Sequence, residues 1–340
     1  MDRSSLSRRE ILRRSAYAMG GAAGGLTLAG LPSIAWAADE YPSHPITVFV
    51  EVALGGATDV VIRAVEGPFK KALGQDLKYD YRPGADGLIA WNALWPTPAD
   101  GYTLLGSVIS TSMLNLALQP QGFSIGKEVT YVASINQDPT CIIAKKDGAY
   151  GSIEETIAAA KKGPVNVSLS RWTQPANIPL QAMNRKLGTQ FVGVPYQGGG
   201  QARAALIQGE VPLSAGPLNG ALSMIEQVKV LSLFDVENRF TKYIGQVPLI
   251  NDVTGLNLPP FSVQVGFAMH TAFIEKYPDR LEILMAALRK AFDDPDLPKG
   301  IQAAGLPDEN FNLWDNKRCA EYIKSFQPVV DEYKDIMKEG

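Results

Sequence analysis

Three glycine-rich loops are the part of this sequence best suited to bind a ligand. They are residues 55–59 (Gly-Gly-Ala-Thr-Asp), 84–87 (Gly-Ala-Asp-Gly) and 198–200 (Gly-Gly-Gly), and each stands between a predicted strand and a predicted helix. The first N–H groups of a helix have no intrahelical partner and carry about half a positive charge. Glycine also lets a ligand approach that backbone closely. Such loops can bind an anion without an arginine, although each could also be no more than a tight turn.

The residues that most hydrolases and metalloenzymes require are scarce. The only histidines are His44 and His270, and the sequence contains neither H-E-x-x-H nor C-x-x-C, so a zinc site or a Ser-His-Asp triad is poorly supplied. The sequence also lacks G-x-S-x-G, a P-loop and a G-x-G-x-x-G turn after a predicted strand, which are the usual signs of a serine hydrolase or a nucleotide cofactor. We therefore expect no enzyme activity, no metal and no cofactor.

Strands and helices alternate along the chain in two cycles that would position these loops. The first cycle comprises strands at residues 46–50, 77–81 and 103–107 and a helix at 58–73. The second comprises strands at 141–145, 165–170, 191–195 and 230–234 and helices at 152–162, 178–187 and around 204–207, and two further helices follow at 278–293 and 317–338. Strands that alternate with helices through short glycine-rich connections predict parallel α/β sheets.

The two cycles predict two α/β lobes with a cleft between them, because a chain of 340 residues is too long for one core. The last helices follow the second cycle, so we expect one lobe to be inserted in the other. Residues 38–141 and 235–340 would form the first lobe, and residues 142–234 the second. The chain would cross between the lobes near residues 140–145 and 230–235, as a two-strand hinge.

The N-terminal segment is typical of an export signal. Arg8 and Arg9 form a twin-arginine pattern, residues 16–35 are rich in glycine and alanine, and Ala35-Trp36-Ala37 fits a signal-peptidase site. We expect a twin-arginine signal peptide at residues 1–37, removed on export to the periplasm. A membrane anchor is the alternative, but its glycines make the segment weakly apolar.

The charge of the chain argues against nucleic acid as a partner. The signal segment holds five arginines against Asp2 and Glu10, so its removal changes the net charge from −3 to −6. An acidic protein without a basic block lacks the cations that phosphate contacts need.

The two cysteines, Cys141 and Cys319, are far apart in the sequence. They could form a disulfide in an oxidising compartment. Cys141 lies in an apolar, strand-like run and Cys319 in a polar helix, which favours two separate thiols.

Several motifs resemble those of the extracytoplasmic solute receptors of tripartite tricarboxylate transporters. In chain order they are Tyr41-Pro42 with Pro45-Ile46, Gly55-Gly56 with Asp59, Arg82-Pro83-Gly84-Ala85 with Gly87, Asp100-Gly101-Tyr102-Thr103-Leu104-Leu105, and Val194-Pro195-Tyr196 with Gly198-Gly199. The resemblance covers nearly the whole chain after the signal segment. It implies a two-lobed periplasmic binding-protein fold (type II-like) that binds a small organic carboxylate in its cleft.

The same resemblance implies where the ligand binds. Backbone amides of the first loop would hold a ligand carboxylate, and two loops of the second lobe would complete the site. The residues that match are Gly55, Gly56, Ala57, Thr58, Asp59, Ser170, Tyr196, Gly198 and Gly199.

The chain departs from the family pattern at several of these loops. Glu51 and Leu54 stand where the first motif has prolines, and Asn177 stands where the family often has a histidine. Arg171 and Trp172 replace small residues. We expect Arg171 to bind a second carboxylate and Trp172 to stack on an aromatic ring; the alternative is a solvated arginine beside a tryptophan that covers the lobe surface.

The function expected from this resemblance is an extracytoplasmic receptor that captures a small organic carboxylate and delivers it to a tripartite tricarboxylate-type membrane transporter. We expect a monomer without a cofactor, with membrane transporter subunits as partners. Two alternatives stay open: a periplasmic ligand sensor for a membrane signalling protein, and a secreted α/β hydrolase. Dicarboxylates, tricarboxylates, aromatic acids and acidic amino acids all remain candidate ligands.

Overall fold

Two β-sheets organise the protein, and the computed structural model describes residues 41–338 of it. The predicted signal peptide, residues 1–37, therefore lies outside the described residues. In spatial order the first sheet contains β2 (Leu77–Tyr81), β1 (Ile46–Val50), β3 (Thr103–Val108), β11 (Val265–His270), β4 (Val129–Ser134) and β12 (Trp314–Asp315). The second contains β10 (Ser262–Val263), β5 (Asp138–Lys145), β8 (Leu213–Pro217), β6 (Val165–Leu169) and β7 (Phe191–Pro195), and β9 (Val228–Leu233) also pairs with β5.

Helices connect most of these strands and pack against them. In chain order they are α1 (Ala57–Leu73), α2 (Leu88–Leu94), α3 (Ile109–Leu118), α4 (Ile153–Lys162), α5 (Asn177–Leu187), α6 (Gly199–Gln208), α7 (Leu218–Leu222), α8 (Thr241–Ile244), α9 (Ile250–Thr254), α10 (Thr271–Lys276), α11 (Pro278–Phe292), α12 (Leu297–Ala303) and α13 (Asn316–Lys338). The two long C-terminal helices return to the first half of the chain: α11 packs on α1, and α13 packs on α3 and β4.

Local sequence signals explain where the main helices begin and end. In α1 the apolar residues Val61, Val65 and Phe69 recur at helical spacing and are buried, and Gly74 ends the helix in the left-handed conformation. At the start of α4 the Ser152 hydroxyl accepts a hydrogen bond from the Glu155 N–H at 3.2 Å, which satisfies one of the free amides of the first turn. The helix limits predicted there are confirmed within one residue.

The prediction of parallel sheets is only partly right, because both sheets are mixed. β1 pairs in parallel with β2 and β3, as expected for strands joined by helices. β11 runs antiparallel to both β3 and β4, and β5 runs antiparallel to β8 and β9. β11 enters the first sheet on the chain's return from the second sheet, and an antiparallel neighbour needs no helical crossover.

The two sheets are joined where β4 leads into β5 and where β10 leads into β11. The two connections lie side by side, since the Ile135 N–H donates a hydrogen bond to the Val265 carbonyl at 2.9 Å. β10 still pairs with β5 of the second sheet, and β11, two residues on, pairs with the first. The residue limits expected for the two lobes stay a prediction.

The cysteines are separate in this fold: Cys141 on β5 and Cys319 on α13 are both free and buried. Within residues 41–338, no helix has the length and apolar composition that a membrane span requires.

Candidate ligand-binding site

A cavity of about 430 Å³ lies between the two sheets. Val108, at the carboxyl end of β3, and Val265, at the amino end of β11, contribute to one wall. Ser170, which follows β6, and Pro217, which ends β8, contribute to the other. The cavity is therefore bordered by the carboxyl ends of β3, β6 and β8, strands of both lobes, and this is where open α/β sheets usually bind ligands.

The N-terminus of α1 opens into this cavity through Ala57 and Thr58, which both line it. In the described part of the chain, no hydrogen-bond acceptor is found for the N–H groups of Ala57, Thr58 and Asp59. The amide of Gly56, by contrast, donates to the Ala53 carbonyl at 2.9 Å. The cavity thus contains a helix end whose first donors are available to an anion.

Asp59 shapes this loop and does not line the cavity. Its carboxylate accepts hydrogen bonds from the Gly55 N–H at 2.8 Å, from the Tyr81 hydroxyl at 2.9 Å and from Arg63 Nε at 3.3 Å. Gly55 and Gly56 also lie outside the cavity lining. Of the five residues predicted in the first loop, the structure therefore brings Ala57 and Thr58 to the cavity.

Glu51, which replaces a proline of the family motif, is buried in the cavity wall with 8 % of its surface exposed. Its Oε1 accepts hydrogen bonds from the Val108 N–H at 2.9 Å and from the Thr58 hydroxyl at 3.4 Å. Burial raises the pKa of this carboxyl to about 7, and the hydrogen bonds and the charge of Arg171 only partly oppose that rise. The altered first loop therefore contains a buried carboxyl group, that of Glu51, next to the N-terminus of α1.

Ser170 and Arg171 of the second lobe both line the cavity. Arg171 Nη1 also pairs with Asp86 Oδ1 at 2.7 Å, and the two side chains are 47 % and 41 % exposed. Asp86 belongs to the 84–87 loop that follows β2, so this ion pair connects the two lobes. Trp172 does not line the cavity; its ring lies against β7, where a Cβ atom on Gly193 would come within 3.1 Å of it.

The glycine loop of the second lobe supports the site from behind. Gly198 has a φ of 124°, which L side chains rarely adopt, and its N–H donates a hydrogen bond to the Ser170 carbonyl at 3.0 Å. Gly199 lines only a small recess that adjoins the cavity. The Tyr196 hydroxyl, 3.2 Å from Glu210 Oε2, contacts an exposed carboxylate outside the cavity.

Arg203 is a cavity residue that the sequence analysis missed. It lies on α6 one turn after Gly199, is partly buried, and has no carboxylate within 4 Å among residues 41–338. Burial lowers the pKa of its guanidinium, which nevertheless stays charged. One signal was available: Arg203 is the only charged residue of α6.

Two asparagines of the cavity lining also have buried polar atoms without partners. Asn136, in the connection between β4 and β5, is 1 % exposed, and neither Nδ2 nor Oδ1 of its side chain has a hydrogen-bond partner in the described residues. Asn219 Oδ1 is unpartnered in the same way. Buried polar groups are nearly always satisfied, so these atoms are suited to contact a ligand or bound water.

Asp138 at the start of β5 adds a second buried acid to the cavity lining. Its Oδ1 accepts a hydrogen bond from the Asn219 N–H at 3.2 Å. Burial raises its pKa to about 7, although that hydrogen bond acts in the opposite direction. Among residues 41–338, no three His, Cys, Asp or Glu side chains are grouped so that they could hold a metal ion.

Comparisons with known proteins point to one family. Residues 61–338 match the model of the tripartite tricarboxylate transporter family receptor. A UPF0065 protein of Bordetella bronchiseptica is 30 % identical over 229 residues, which cover 66 % of this chain and 68 % of that protein.

Solved structures show the same architecture. A TctC solute-binding protein from Polaromonas superposes with a TM-score of 0.75 at 21 % identity, over 88 % of this chain and all of that one. MatC of Rhodopseudomonas palustris with bound malate superposes with a TM-score of 0.64 at 23 % identity, over 87 % of this chain and all of that one. At these identities the neighbours establish the two-lobed fold alone.

Proposed function

Because the chain belongs to the tripartite tricarboxylate transporter receptor family, we propose that it captures a small organic carboxylate between its lobes and delivers it to a membrane transporter of that type. The observation that carries the proposal is the helix end in the cavity. The free N–H groups of Ala57 and Thr58, which line the cavity, provide an anion-binding site that needs no cationic side chain.

The ligand is held from both sides in this proposal. Ala57 and Thr58 of the first lobe and Ser170 of the second line the cavity, and we assign them as ligand contacts. Asp59 and Gly198 act indirectly, since they hold the backbone of the two loops. Direct contacts from Arg171, which is paired with Asp86, and from Gly55, Gly56, Trp172, Tyr196 and Gly199 stay predictions.

Lobe closure follows from contacts that one ligand makes with both lobes. Such a ligand favours the closed arrangement by as much as its affinity for that arrangement exceeds its affinity for the open one. In the proposed cycle the closed form, a monomer exported by the twin-arginine route, then docks on the membrane subunits. The protein makes and breaks no bond in its ligand.

A thermal-shift screen of the purified protein against small carboxylates tests this function. Succinate, malate, adipate, citrate, phthalate and glutamate would each be compared with the corresponding amide. A ligand that binds only the folded protein raises its melting temperature by mass action. We expect at least one acid to raise it and its amide not to; no shift with any acid would contradict the carboxylate-receptor function.

A further inference from the structure

Arg203 is a charged residue in the cavity wall for which the protein supplies no counter-charge within the described residues. Arg171 is paired with Asp86, and Glu51 and Asp138 accept backbone hydrogen bonds from Val108 and Asn219. Arg203, by contrast, has neither an ion pair nor a hydrogen bond within residues 41–338. A partly buried cation without a partner is costly, so an anion from outside would lower the free energy of this site.

Two glycines leave room for this guanidinium. A Cβ atom on Gly220 of α7 would clash with Arg203 Nη1, and one on Gly199 would approach it within 3.0 Å. The neighbouring residues of α6, Ala202, Ala205 and Leu206, are apolar and buried. The guanidinium therefore lies between two glycines, at the boundary between the main cavity and the small recess behind it.

The remaining polar groups of the cavity restrict where a ligand can carry negative charge. Glu51 adjoins the helix end through Thr58, and Asp138 is bonded to the first residues of α7. Both repel an anion when ionised. Apart from Arg171, which is already paired with Asp86, two positions of the described residues attract one: the free amides at the start of α1, and Arg203 in the other lobe.

Building on the proposed receptor function, we propose that Arg203 binds a second acid group of the ligand and is the residue that selects a diacid over a monoacid. The first acid group binds at the N-terminus of α1, and Asn136 and Asn219 hydrogen-bond the part of the ligand between the two acids. In this assignment Arg203 takes the role that sequence reasoning gave to Arg171.

A cycle of protein and ligand variants tests the assignment. Calorimetry would rank succinate, glutarate, adipate and phthalate on the full protein, and the tightest of them would be compared with its monoamide. These variants would then be measured: Arg203→Gln, Arg203→Lys and, as the matched control, Arg171→Gln. Removal of one partner of a buried charge pair typically lowers affinity about 100-fold, whereas an exposed pair contributes only about 5-fold or less.

We expect the wild-type protein to bind the diacid at least about tenfold more tightly than its monoamide. Arg203→Gln should lower the affinity for the diacid about 100-fold and change the affinity for the monoamide less than about threefold. Arg203→Lys should retain part of the preference, because it keeps the charge but loses the planar fork. Equal binding of diacid and monoamide by the wild type, or an Arg203→Gln variant that keeps the preference, would overturn the inference and leave the carboxylate receptor standing. If the wild type binds no acid, both fail.

Discussion

Two sides of the cavity carry the same type of cation in different surroundings. On the Arg171 side, defined by Arg171, Asp86 and Glu51, the guanidinium is half exposed and already paired at 2.7 Å with a carboxylate of the other lobe. On the Arg203 side, defined by Arg203, Gly199 and Gly220, it is partly buried, and the described residues place no carboxylate within 4 Å of it.

Whether an arginine in this cleft is available to a ligand depends more on its protein partner than on its charge. The ion pair between Arg171 and Asp86 must break before Arg171 can bind a ligand carboxylate with both edges of its guanidinium, and solvent already screens its charge. Arg203 has no ion pair to break among the described residues and is less solvated, so its interaction with an anion is more favourable.

The largest effect is expected from Glu51→Gln, which removes the buried acid of the Arg171 side. The folded protein raises the pKa of Glu51 from 4.5 to about 7, so its protonated form favours folding. The stabilisation is complete below pH 4.5 and is lost as the pH rises through 7. A pKa difference of one unit corresponds to ~1.4 kcal/mol. The free energy of unfolding of the variant should therefore exceed that of the wild type by up to ~3 kcal/mol at about pH 8.5 and by almost nothing near pH 4.5.

Urea unfolding at the two pH values measures this difference. Glutamine can still accept the hydrogen bond from the Val108 N–H, which makes Glu51→Gln a test of charge. Glu154, exposed in the first turn of α4, supplies the control, because Glu154→Gln makes the same replacement of a carboxyl by an amide at a solvated position. An equal gain for Glu51→Gln at both pH values would show that the carboxyl is not protonated by burial, and the contrast between the two sides would lose its electrostatic basis.

Gly220→Ala moves the guanidinium of the Arg203 side without removing its charge. The new Cβ would clash with Arg203 Nη1, and the flexible side chain can swing away. We expect diacid affinity to fall about tenfold, equivalent to ~1.4 kcal/mol. The free protein should be as stable as before or gain up to ~1 kcal/mol, since alanine favours the helix over glycine.

Gly200→Ala is the control for this displacement. Gly200 also lies in a helix, but no atom lies within 4 Å of the Cβ that alanine would add. Calorimetry with the diacid that binds the wild type most tightly should show unchanged affinity for Gly200→Ala. If Gly220→Ala also left that affinity unchanged, the position of Arg203 would not matter for binding.

The sequence predicts the elements of this site better than it predicts their partners. The loop at residues 55–59 is recognisable because glycine and a helix start are local signals, and Ala57 and Thr58 do line the cavity. β11 was missed, since its antiparallel place between β3 and β4 depends on a return of the chain that no local pattern records. Arg171 stood out by its type, but its ion pair joins residues 85 positions apart. Arg203 appeared as an ordinary helix residue, because only the tertiary structure reveals what surrounds it.

The smallest effect is expected from the ion pair between Arg171 and Asp86. Both side chains are about half exposed (47 % and 41 %), so a double-mutant cycle of Arg171→Gln and Asp86→Asn should give a coupling below ~1 kcal/mol in diacid binding. That coupling should shrink as added salt screens the pair. Asparagine suits position 86 because it tolerates the left-handed conformation there, with a φ of 52°.

If Arg171→Gln alone weakened binding more than about tenfold, ~1.4 kcal/mol, while Asp86→Asn did not weaken it, Arg171 would bind the ligand directly as its sequence context suggested. The two sides of the cavity would then both hold anions, and the distinction between a partnered and an unpartnered arginine would no longer explain selectivity.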